Sequence, residues 1–354
     1  MSHKIKSICL LCSILGTYLL FWLPVCAQSD FSQVEQLLKQ NQKMLGNNLA
    51  AAVWKDGKIV FQKQIEKEQG DFNAKTQTYI QGCGNWLTAA LVMTFVDQGK
   101  LSLDDKISKY IPIFSTYMKG YITIRNCLTN TSGIQTNTTF VKALEKSKFE
   151  TLEDLVNSFA SKHEIQANPG SEFYYSNIGP DIVGRVLEIV GKKPFDRLMQ
   201  ERITHPLKMR STTFTNDEGG AIDPSLGARS TVNDYVSFLI MLMSKGMFEG
   251  KRVLSEQAIG EMEKLQFPDL PVKFIPKPAT GWHYGLGEWI QETNVKGEAS
   301  VIACPDFAGS FVYIDKCRNY AVVFFTKDIL SDPPKGFYKK FKEALDSIMP
   351  ASCE

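Results

Sequence analysis

Apolar and polar positions follow two rhythms along this chain, and their order predicts where helices and strands lie. From Phe31 to Leu45 apolar residues recur at helical spacing and the run meets Gly46, which predicts an amphipathic helix stopped by glycine. Asn48 to Ile65 carries two apolar runs around Asp56-Gly57, a hairpin signal. Asn85 to Gln98 is apolar almost throughout with Gly99 behind it, so it reads as a buried helix ended by glycine. Gly99 to about Thr280 is rich in helix-like segments and turn residues, without an internal repeat or a low-complexity tract. Trp289, Phe311 to Asp315 and Tyr320 to Thr326 are strand-like, and Gly336 to Met349 predicts a last helix. The two ends are therefore expected to share one sheet. Residues 28–100 and 281–354 form an α/β sheet domain, with residues 101–280 as an inserted helical domain.

The first residues change this picture. Met1 to Ala27 reads as a signal peptide: Lys4 and Lys6, the apolar run Ile8 to Leu23, then Val25-Cys26-Ala27 with small residues at its ends. The run is shorter than the roughly 20 residues a membrane span needs, so cleavage after Ala27 is expected rather than anchoring. Pro24-Val25 is a poor lead-in for lipidation of Cys26. The mature chain is then expected to be periplasmic or secreted, and not transmembrane. Among 354 residues, 44% are hydrophobic and 22% charged, enough to bury one large core or two adjoining ones. Without the two leader lysines the 40 basic residues become 38, against 38 acidic ones. No basic stripe argues for nucleic acid. Five of the eight cysteines remain, Cys83, Cys127, Cys304, Cys317 and Cys353, with no Cys-x-x-Cys pair. They are expected to be buried thiols with one pair at most, whose connectivity the sequence leaves open. His3, His163, His205 and His283 are too scattered to bind a metal together, and no cofactor is implied.

The stretch TYIQGCGNWLTAALVMTFVDQGKLSLDDKISKYIP, Thr78 to Pro112, resembles the helix-opening segment of serine β-lactamases, penicillin-binding proteins and related esterases. Tyr121 to Gly133 is similar to that family's Ile-Arg-His-Leu-Leu-Thr-His-Thr-Ser-Gly stretch, with Asn126 and Asn130 in place of both histidines. Tyr175-Ser176-Asn177 matches the Tyr-x-Asn motif unchanged, and Ala228 to Phe238 and His283 to Ile290 resemble the class C-like branch. The resemblance covers most of the chain after the leader. It implies an α/β (α+β) fold of the β-lactamase/transpeptidase type, an antiparallel sheet flanked by helices beside an inserted helical domain.

The same resemblance locates two departures. The family's Ser-x-x-Lys falls on Gly82-Cys83-Gly84-Asn85, so the nucleophile position is Gly82 and the lysine position Asn85. Glycine has no side chain to attack with, and an amide is neutral. The family's third motif, on an edge strand lining the cleft, falls on Val301-Ile302-Ala303 or on Cys304-Pro305-Asp306, neither of which supplies a lysine or histidine. Tyr175 remains as a residual base or as a hydrogen-bonding strut, and Asn177 as a substrate-orienting amide or a loop lock. Cys83 lies about 100° around the helix from the shared face and reads as a packed cysteine rather than a replacement nucleophile. Gly82 and Gly84 would let a carboxylate approach the first helical turn, or simply fill a tight turn.

Three functions follow. The chain is a pseudoenzyme that binds a small peptide, ester or cell-wall fragment through Gly82, Asn85, Tyr175, Asn177 and Cys304. Alternatively it is a working hydrolase with a rearranged nucleophile or a tyrosine-activated water, or a structural partner-binding protein with a vestigial cleft.

Overall fold

The computed structural model describes residues 30–67, 72–135, 149–215, 219–305, 309–330 and 336–353. The leader and Asp306 lie outside them. The longer helices are α1 (Ser32–Asn41), α2 (Gly84–Asp97), α3 (Leu152–Lys162), α4 (Ile178–Gly191), α5 (Val232–Met243) and α6 (Phe337–Asp346). The principal strands are β1 (Leu49–Lys55), β2 (Lys58–Ile65), β3 (His283–Tyr284), β4 (Trp289–Thr293), β5 (Ala299–Pro305), β6 (Phe311–Asp315) and β7 (Tyr320–Thr326).

These seven strands form one antiparallel sheet in the order β3-β4-β5-β6-β7-β1-β2. The amino-terminal hairpin joins it through β1 and β7, Leu49 opposite Thr326 and Lys55 opposite Tyr320. Its turn has Asp56 at φ 47° and Gly57 at φ 86°, the left-handed pair that a two-residue hairpin needs.

Period-two alternation sends successive side chains to opposite faces. Leu49, Ala51, Val53, Tyr313 and Val322 pack with Val34 and Leu38 of α1 and Phe337, Phe341 and Leu345 of α6. Ala50, Ala52, Cys304, Val312, Val323 and Phe325 face the larger core around α2. Every residue of α2 from Gly84 to Phe95 is buried, as expected of a helix apolar on all sides. Its end is a Schellman turn: Lys100 N–H donates to the Phe95 carbonyl at 3.0 Å, Gly99 N–H to that of Val96 at 2.8 Å, and Gly99 has φ 63°. Within residues 101–280, α5 lies on the sheet against β7 and β1, while α3 and α4 pack with each other. Cys317, in the β6–β7 turn, is disulfide-bonded to Cys353. Cys83, Cys127 and Cys304 are buried thiols outside that disulfide.

Candidate functional site

Gly82 lies in a tight turn, Gln81–Cys83, that leads into α2 and begins with Gln81 at φ 36°. Two thiols pin this turn to β5. Cys83 Sγ donates to the Cys304 carbonyl at 3.1 Å, and Cys304 Sγ donates to the Gly82 carbonyl at 3.2 Å. From the other side, the Tyr235 hydroxyl of α5 donates to the Cys83 carbonyl at 2.8 Å. Burial pushes the Tyr235 phenol well above its ordinary range, so it stays a donor. Cys83 is fully buried with its thiol spent on a carbonyl, the geometry of a packed cysteine.

Gly84 needs a correction. A Cβ there would meet the Ala228 Cβ at 2.6 Å, so this glycine admits the neighbouring chain and not a ligand. The third-motif strand also differs from expectation. β5 is hydrogen-bonded on both sides, by β4 and β6, and is therefore internal rather than an edge. Of the two placements, Cys304-Pro305 is the one that touches the Gly82 turn.

Asn85, the second residue of α2, is 2% exposed. Its Nδ2 donates to the Tyr175 hydroxyl at 3.3 Å, and its Oδ1 has no hydrogen-bond partner. Tyr175 lies against Trp289 with ring centroids 5.2 Å apart and planes tilted by 36°, and meets Tyr284 edge-on at 6.1 Å, so the wall is aromatic. Asn130, standing where the family has a histidine, sits at φ 57° and holds this wall in place: its Oδ1 accepts from Ser176 N–H at 2.9 Å and its carbonyl from Tyr174 N–H at 3.0 Å. Asn126, the other substituted histidine position, closes a capping box with Thr123 at the start of the short helix Ile124–Leu128. Asn177 is half-buried at the start of α4, and its side chain makes no cap hydrogen bond there.

The structure thus brings Gly82, Asn85, Tyr175 and Cys304 to one place, with Asn177 at the end of the Tyr175 segment. The turn supplies a helix N-terminus of partial positive charge, and the opposite wall supplies a phenol and an amide. Neither Gly82 nor Asn85 carries an ionisable group. Among the described residues no cluster of His, Cys, Asp and Glu could hold a metal ion.

The sequence reading missed Glu288. Its carboxyl is 0% exposed, and neither of its oxygens nor the Trp86 indole N–H has a partner of good geometry. Burial first, and then the like charge of Glu263, push it well above the usual carboxylate range. A charged residue inside the apolar run Tyr284 to Ile290 was the available signal.

Comparison with known proteins agrees with this architecture. A candidate β-lactamase of Bacteroides dorei DSM 17855 superposes with a TM-score of 0.80 at 27% identity, covering 91% of this chain and 99% of that one. The D-alanyl-D-alanine-carboxypeptidase/endopeptidase AmpH of Escherichia coli K12 is 25% identical over 256 residues, 64% of this chain and 63% of AmpH. Protein flp of Staphylococcus aureus MW2 is 29% identical over 167 residues, 45% of this chain and 33% of flp. The matched part of the chain thus spans between a third and just under two thirds of these curated relatives. The Beta-lactamase family model matches residues 32–337, from the first residue of α1 to the first of α6. The chain belongs to the β-lactamase family, with its serine β-lactamase/transpeptidase-like fold.

Proposed function

We propose that this protein is an exported, non-catalytic member of its family that binds a small peptide or acyl compound at the Gly82 turn without forming an acyl-enzyme. The observation that carries the reading is the neutral pair of Asn85 and Tyr175, 3.3 Å apart beside a residue with no side chain. An acyl-enzyme needs a nucleophile and a group to take its proton, and this place has neither.

Binding is supported by the unpartnered Asn85 Oδ1. A buried acceptor left without a donor costs about 1–3 kcal/mol, which a ligand N–H relieves. A peptide offers both complements, an N–H for that oxygen and a carboxylate for the start of α2. The name of the relative AmpH, a D-alanyl-D-alanine carboxypeptidase/endopeptidase, favours D-alanyl peptides within that class. The Cys317–Cys353 disulfide favours export, since disulfides persist in oxidising compartments.

Thermal scans with D-alanyl peptides, muropeptide fragments and acyl amino acids test this. A ligand at about 100 times its Kd stabilises the fold by about 2.7 kcal/mol. At least one compound is expected to raise the Tm, with the effect lost in Gly82→Leu. A panel without a shift, or a shift that survives Gly82→Leu, contradicts binding at this turn.

A further inference from the structure

Two thiols meet at the Gly82 turn. Cys83 stands where the turn enters α2 and Cys304 on β5, 221 positions away in sequence. Their hydrogen bonds cross: the Cys83 sulfur reaches the Cys304 carbonyl, and the Cys304 sulfur reaches the carbonyl of Gly82, in the peptide that leads into Cys83. Each side chain therefore spans the gap between the same two stretches of backbone. A gap crossed by one cysteine side chain and one contact of 3.1 or 3.2 Å is close to the one a disulfide crosses, whose Cα atoms stand roughly 4.4–6.8 Å apart.

Nothing strong holds the sulfurs to the carbonyls. S–H is a weak donor, so turning either side chain toward the other sulfur gives up little. The backbone is held meanwhile, because the Tyr235 hydroxyl donates to the Cys83 carbonyl at 2.8 Å and β5 is paired on both sides. The Cys317–Cys353 disulfide supports the same chemistry, since disulfides persist where thiols are oxidised. Cys127 is a third buried thiol, in the helix Ile124–Leu128, and burial pushes it well above the usual thiol range, which leaves it unreactive.

We propose that Cys83 and Cys304 are a second disulfide pair, whose oxidation state sets whether the Gly82 turn is held to β5 by two weak hydrogen bonds or by a covalent bond. The oxidant is a small-molecule or protein-borne disulfide. One thiolate of the pair attacks a sulfur of the oxidant, whose S–S bond breaks and releases one thiol. The other cysteine then attacks the mixed disulfide, forms the Cys83–Cys304 bond and releases the second thiol. The pair gives up two electrons and two protons, and the two oxidant sulfurs take them. Both cysteines are at most 2% exposed, so the exchange runs during folding or through opening of the turn. The pairing needs no ligand at the turn and stands even where the proposed function fails.

The test refolds the reduced, unfolded protein in a glutathione redox buffer and exposes the native protein to oxidised glutathione in parallel. Thiols are counted under denaturing conditions, and the non-reduced digest is mapped by mass spectrometry. Of the three thiols, only Cys127 is expected to remain in the refolded protein, with a peptide joining Cys83 to Cys304. Cys304→Ser keeps a hydroxyl donor for the Gly82 carbonyl and is expected to retain both Cys83 and Cys127 as thiols. Amide exchange at residues 81–84 is expected to be about tenfold slower in the bridged protein than in Cys304→Ser. A folded parent that keeps all three thiols in both arms, or joins Cys83 to a cysteine other than Cys304, overturns the proposal. So does a Cys304→Ser protein with a single thiol, or exchange at the turn that is no slower in the bridged protein. Where Cys304→Ser does not fold, the parent's peptide map decides.

Discussion

Glu288 shows how one side chain sets a pH dependence for the whole fold. Its folded-state pKa is raised by burial, so above the ordinary glutamate value near 4.3 the folded protein holds a proton that the unfolded chain has released. Stability therefore falls as pH rises from that value toward the folded one, by about 1.4 kcal/mol per pH unit for one such group. Burial also raises Glu263 despite Lys316 at 2.6 Å, and it acts with the same sign. Glu288→Gln is expected to raise the urea midpoint at neutral pH and to make the profile shallower. An unchanged midpoint and slope would show that this carboxyl is solvated. At the site itself, Gly82→Ser alone is expected to remain inactive toward p-nitrophenyl esters, because Asn85 accepts no proton. Gly82→Ser with Asn85→Lys is expected to gain slow hydrolysis, with Tyr175 as the partner for the new amine. Equal rates for the single and double variants would show that Asn85 is not the lysine position. The glycine and the asparagine were legible in the sequence. The mutual thiol-to-carbonyl bonds of Cys83 and Cys304 were not, because residues some 220 positions apart meet only in the folded sheet.

Among the elements, α6 is tied to the sheet by more than its aromatic face. Lys342 is nearly fully buried, with Nζ 2.6 Å from Asp346, 3.2 Å from Glu292 and 3.3 Å from the fully buried Asp315. Burial alone would lower its pKa, but the hydrogen bond to Asp346 and the surrounding carboxylates outweigh it, and the net shift is upward. Its stabilisation is therefore complete below the unfolded lysine value near 10.4 and is lost as pH rises through the folded one. Lys342→Ala is expected to cost about 3–5 kcal/mol at neutral pH, because Asp315 keeps only Arg318 at 3.1 Å. The gap between variant and parent should narrow in strongly alkaline urea titrations. A gap that stays constant with pH would mean that packing of the alkyl stem, not charge, is what is lost. Elements with a strong local signal were legible: Asp56-Gly57 for the hairpin, Gly99 for the end of α2, and β6 and β7 at their observed bounds. The internal place of β5 was not, because pairing partners are set by the sheet as a whole and not by the strand's own residues.

At the scale of the molecule, the chain keeps the serine β-lactamase/transpeptidase-like fold, and under the proposed function no acyl-enzyme forms at the Gly82 turn. Sheet and α2 meet at the Gly82 turn through Cys83 and Cys304, and the Tyr175 segment joins them through Asn85. The packing that fills the site was not readable: the Tyr175, Tyr284 and Trp289 rings meet from segments more than a hundred residues apart. The central claim, that no covalent acyl-enzyme forms, is tested most directly by intact-mass spectrometry of the purified protein after incubation with a fluorophosphonate and with a penicillin. The unmodified mass is expected for both reagents. Stoichiometric addition of either to the native protein, lost on heat denaturation beforehand, would reveal a working nucleophile and contradict the claim.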